Sequence, residues 1–77
     1  MAVKDCEYPG CAWEAQTWAP LCSRHWVMVP YSLRRALAAT RIARLDAWDT
    51  PAYEEAVAAH EAAKHDAIVA VREAVSP

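Results

Sequence analysis

Phenylalanine is absent from this chain and glycine occurs once, at Gly10. A single glycine leaves no Gly-rich loop to cradle phosphates, which removes the common nucleotide-binding motifs. No stretch approaches the roughly 20 apolar residues that a spanning helix needs. The first residues lack the apolar run of a signal peptide. No membrane is expected as a partner, and the expected compartment is the cytoplasm. Cysteine is scarce too: three residues are an odd number for a secreted disulfide framework. In a reducing compartment, clustered cysteines are more often metal ligands or reactive thiols.

What is present is alanine, at 18 of 77 positions, with bulk supplied by four tryptophans, three tyrosines and scattered Leu, Val and Ile. Residues 1–77 are read as one domain, and a chain of this length buries only roughly 60% of its unfolded surface. Alanine favours helix but removes little area from water, so the helices need bulky neighbours, a metal or a partner chain. The net charge of −2 is unevenly spread, with Arg34, Arg35, Arg41 and Arg44 forming a basic centre between acidic ends. A domain that tracks a phosphate backbone would carry a larger positive excess.

The fold class read from these patterns is small and mostly α, with an N-terminal zinc knuckle over residues 1–29 followed by a two-helix antiparallel hairpin. Pro9 and Gly10 mark a tight turn just before Cys11. Pro30 opens the first helical region, residues 30–49, where helix propensity is high from Ser32 to Trp48. Leu33, Leu37, Leu45 and Trp48 can share a broad face there, with Arg41 and Arg44 at its edge. The periodicity is imperfect, so the helix either bends near Thr40 or packs the arginine stems and leaves their heads in solvent. Thr50 and Pro51 read as the cap and first residue of a C-terminal helix over 50–77, with Glu54 and Glu55 near its positive end. Its apolar side holds Tyr53, His60, Ile68, Val71 and Val75, interrupted by Lys64. The short connection sets Trp48 and Tyr53 near the closed end of the hairpin.

Cys6 and Cys11 enclose four residues, Cys22 and His25 enclose two, and ten residues separate the pairs. Zinc takes four such ligands at tetrahedral positions, and two short local turns can supply two each. Three thiolates and a neutral imidazole form a closed set, so the metal role is structural. The competing reading is three buried thiols and a packed histidine; iron is the competing metal. His60 and His65 are alternative fourth ligands on paper, but His60 fits a hydrogen-bonded packing role and His65 a solvent-facing one.

The stretch LCSRHWVMVPYSLRRAL resembles small uncharacterised zinc-finger proteins of bacteriophages and actinobacterial genomes. Those proteins carry a short cysteine pair, a Cys-x-x-His-Trp segment, a Val-Pro step and a helix opening with Leu-Arg. The matching positions are Cys6, Cys11, Cys22, His25, Trp26, Val29, Pro30, Leu33 and Arg34, in roughly the first half of the chain. The resemblance implies bound zinc and a phage origin, hence the cytoplasm of a host cell, and brings no activity with it. The placement of the second pair also resembles a treble-clef finger, reduced here to at most a minimal hairpin between the pairs.

An enzyme is not expected. Cys22 with His25 could act as nucleophile and base, but that leaves the other cysteines without a role. Glu54 and Glu55 point about 100° apart on a helix, a poor acid–base pair, and no small-molecule substrate is expected. The leading function is a zinc-stabilised protein-interaction module, such as a phage-encoded regulator or inhibitor of a host protein. Its contacts would come from Trp48 and the arginines, and a homodimer would bury Ile68, Val71 and Val75 unless they form the monomer core. The alternative is a nucleic-acid-binding finger that uses Arg34, Arg35, Arg41 and Arg44 as a phosphate-facing patch. A plain solvated helix face accounts for those arginines equally well.

Overall fold

The computed structural model describes residues 4–75 and contains three helices: α1 (Ser23–Trp26), α2 (Tyr31–Asp46) and α3 (Tyr53–Val75). Residues 1–3 and 76–77, the outer ends of the regions drawn from sequence, lie outside the described residues. Among the described residues no strand forms, and the N-terminal segment folds as linked turns. An isolated antiparallel bridge joins Asp5 to Glu14. The Cys6 amide donates to the Trp13 carbonyl at 2.9 Å and the Ala15 amide to that of Lys4 at 2.8 Å. The chain then doubles back, so that the Glu7 amide meets the Pro20 carbonyl at 3.0 Å.

Pro30 caps α2 from outside the helix, its carbonyl accepting from the Leu33 and Arg34 amides at 3.0 Å each. Its fixed φ and missing N–H make it a natural place for the chain to turn from one helix into the next. α2 is continuous through Thr40, whose hydroxyl lies 2.9 Å from the Ala36 carbonyl. No bend is needed, because the arginine stems lie half-buried at the edge of the face.

Both helices are shorter at the hairpin than the sequence pattern suggests. α2 ends at Asp46 and not near Trp48, and α3 begins at Tyr53 and not at Pro51. The intervening residues reverse the chain through consecutive turns. Trp48, Thr50 and Tyr53 donate to the carbonyls of Leu45, Ala47 and Thr50, and Asp49 takes a left-handed φ of 59°. Thr50 therefore does not cap α3 as the sequence suggests: its hydroxyl accepts from the Ala52 amide at 3.3 Å, within the turn that precedes the helix. A reversal this tight consumes the residues that local propensity alone would have assigned to the helices.

α2 and α3 pack against each other and share one core with the N-terminal segment. Cys6, Leu21, Cys22, Val29, Leu37, Ala63, Ala67 and Val71 are buried in a single cluster. Of these, Leu21, Val29, Leu37 and Val71 are the bulky aliphatic side chains, and all four are almost fully enclosed. Full burial of a Val or Leu is worth about 1.5–3 kcal/mol, so the apolar core is thin and two of its members are cysteines. Between the helices, the Thr40 hydroxyl lies 2.8 Å from His60 Nδ1. This is the packing histidine expected from sequence, while His65 is exposed. Lys64 does not break the apolar face: it ties α3 to the N-terminal segment through Glu7 at 3.2 Å and also pairs with Glu61 at 2.8 Å.

Candidate metal centre

The Tyr8–Pro9–Gly10–Cys11 segment is a β-turn closed by the Cys11 amide on the Tyr8 carbonyl at 3.1 Å. Proline at its second position and glycine at φ 84° at its third suit a type II turn. The turn swings Cys11 back toward Cys6. Cys22 occupies the N-cap of α1, and the helical turn that follows brings His25 onto the same side. Each spacing therefore has its own local device, and the backbone hydrogen bonds between residues 4–7 and 13–20 bring the two devices together.

The ligand atoms of Cys6, Cys11, Cys22 and His25 all lie within 4.8 Å of one another. His25 Nδ1 is 3.4 Å from both the Cys6 and Cys22 Sγ atoms. The Cys11 and Cys22 Sγ atoms are 4.0 Å apart, and all three cysteines are free. A tetrahedral zinc site with ordinary bond lengths has edges of about 3.8 Å between sulfurs and about 3.6 Å between sulfur and nitrogen. The three shortest separations fall close to those edges, and the four residues could hold a metal ion.

The electrostatics differ among the four residues. Burial raises the Cys6 thiol above its ordinary pKa despite hydrogen bonds from the Cys22 and Tyr8 backbone. Burial pushes Cys22 the same way, but backbone hydrogen bonds from His25 and Arg24, with those of the neighbouring thiols, outweigh it and lower its pKa. Burial and then the Arg24 charge lower His25, which keeps the imidazole in the neutral form that ligates metal. Cys6, Cys22 and His25 are buried and Cys11 is half-buried.

Tyr8 stacks on the His25 ring at 4.4 Å, and the Arg24 guanidinium sits 4.7 Å from the centre of the Trp13 ring. Neither contact was foreseen from sequence. The only signal for Tyr8 is its position two residues after Cys6, inside the turn that aims Cys11. Lys64 and Glu7 were missed as a clamp because 57 positions separate them.

The other candidate residues fall in separate places. Arg34 and Arg35 each lie 6.0 Å from the Tyr31 ring at the start of α2. Arg41 and Arg44 line a cleft facing the N-terminal segment. Trp48 is 71% exposed at the closed end of the hairpin, with Tyr53 edge-on to it at 5.4 Å. Ile42 and Leu45 are also exposed, and Leu45 and Trp48 do not join Leu37 in the core. Val71 is fully buried within the chain, Ile68 packs half-buried against the core, and Val75 is exposed. No helix of the described residues is long and apolar enough to cross a membrane. A comparison with known proteins finds no matching family model, no matching curated protein and no matching solved structure.

Proposed function

We propose that this chain is a small zinc-stabilised protein-interaction module. The observation that carries the reading is the cluster of four ligand atoms within 4.8 Å, inside the same core that holds the two long helices. Three thiolates and an imidazole complete a tetrahedral shell and leave no position for substrate, so zinc serves the fold. The working surface is then the exposed end of the hairpin, where Ile42, Leu45 and Trp48 present apolar area to solvent. Tryptophan beside arginine suits a protein partner, or a second copy of the chain, because both side chains combine area with hydrogen bonding. The resemblance of roughly the first half of the chain, from Cys6 to Arg34, to the phage zinc-finger proteins extends the proposal to a phage-encoded regulator or inhibitor of a host protein.

The test is capture of partners by the zinc-loaded chain from nuclease-treated lysate, followed by titration of each purified candidate. A protein partner binding at defined stoichiometry, with Trp48→Ala weakening it about tenfold or more, supports the reading. Recovery of nucleic acid alone contradicts it.

Nucleic-acid binding is the second reading, favoured by one observation: Tyr31 is exposed and flanked by Arg34 and Arg35. An aromatic face between two cations can stack a base and hold its phosphates. That reading requires affinity to fall steeply with salt and to drop when Arg34 and Arg41 are reversed to glutamate.

A further inference from the structure

A cleft of about 160 Å³ lies between α2, α3 and the N-terminal segment. Lys4, Arg41, Arg44 and Lys64 all contribute to its lining. Arg41 and Arg44 are three positions apart on α2 and so project from one face as neighbours. Glu7 is the one carboxylate in the described lining, and Lys64 already holds it at 3.2 Å. Lys4 and the two arginines make no salt bridge among the described residues, although Glu61 on α3 lies close enough to Arg44 to feel its charge. This concentration of positive charge sits on a chain that is acidic overall, so composition does not account for it.

The walls also have an apolar side. Trp18 is 49% exposed at the cleft and meets Trp26 edge-on at 5.1 Å, and Leu37 lies beneath. Sites for cofactors and drug-sized ligands run to about 300–1,000 Å³, so this volume is too small for a nucleotide. It suits the end of one side chain. Two guanidinium groups on neighbouring positions can grip a carboxylate through paired N–H bonds, and a tryptophan face can cover its methylene stem.

We propose that the cleft receives an acidic side chain of a partner protein, with its carboxylate between Arg41 and Arg44 and its stem against Trp18. The proposal rests on the protein-interaction reading and names the chemistry the partner presents. A single inserted carboxylate is favoured over a polyanion, because the chain carries a net charge of −2 and α3 sets five carboxylates against Lys64 and Arg72.

The test uses the full zinc-loaded chain, isotope-labelled for NMR, titrated at physiological salt with three probes. These are a capped peptide alternating glutamate and leucine, its glutamine counterpart, and a single-stranded thymidine oligonucleotide. The expected result is a saturable shift of the Trp18 and Trp26 indole and Arg41 and Arg44 Nε–H resonances with the acidic peptide. The glutamine peptide and the Arg41→Gln/Arg44→Gln variant should each weaken it about tenfold or more. The Arg41→Lys/Arg44→Lys variant keeps the charge and the buried stems, so it guards against a folding defect and should fall between the two. Acidic-peptide shifts confined to Trp48 and Leu45 would overturn the cleft assignment and leave the protein-interaction reading intact. Shifts with the oligonucleotide alone would overturn both. No shift at the cleft with any probe would overturn the assignment.

Discussion

Cys22 stands at the N-cap position of α1, within reach of both His25 and Cys11. Its replacement by serine should abolish stoichiometric zinc and the cooperative thermal transition, as seen by metal analysis and circular dichroism. Cys11→Ser should be nearly as damaging although Cys11 is only half-buried, because a three-ligand site cannot keep the same thiolate field. Retention of zinc and of the transition in Cys11→Ser would mean that Cys11 is an ordinary packed thiol.

His60 offers a test by pH. Burial, reinforced by the Arg44 and Lys64 charges, lowers its pKa below the ordinary histidine value, so the unfolded chain takes up that proton first. Stability linked to His60 is therefore fully present above the unfolded value, about 6.5, and is lost as pH falls through the folded one. Melting temperatures of the wild type should fall more steeply below about pH 6.5 than those of His60→Gln, which keeps an amide to meet Thr40. Acid release of zinc is common to both chains, so parallel curves would count against this role for His60.

At the level of elements, the residue spacing and the proline–glycine turn made the Cys/His cluster legible in the sequence, because each rests on contacts within a few residues. The two helices were legible in kind but not in their ends at the hairpin. Trp48 fits a helical stripe on paper, but the reversal through Asp49 leaves it in solvent, a tertiary outcome that periodicity does not encode. Likewise, nothing near Lys64 in sequence points to Glu7, and nothing near Arg41 points to the cleft it shares with Trp18.

Asp49 in the left-handed region carries a strain that glycine would not. Asp49→Gly should raise stability by about 0.5–1 kcal/mol, a few degrees in Tm, while Asp49→Val should lower both. On α3, Val71→Ala should cost on the order of 2 kcal/mol through the cavity it leaves. If a second copy covers this helix, the exposed Val75 is its place of contact. Val75→Asp should then give a monomer by sedimentation with helicity unchanged, and a wild-type chain that is already monomeric at high micromolar concentration would refute self-association there.

For the molecule as a whole, one core cluster runs from Cys6 to Val71, so the candidate metal centre and the helical hairpin share their packing. Few large side chains are fully buried, and the cysteines that would bind zinc are among the core residues. Without metal, the same thiols are burial sites with little apolar area to offer. The most direct measurement is native mass spectrometry of the purified chain, paired with thermal unfolding before and after a strong chelator. The expected result is about one zinc per chain and a cooperative transition that chelation abolishes and added zinc restores. A chain that carries no metal and unfolds at the same temperature in excess chelator would contradict the account.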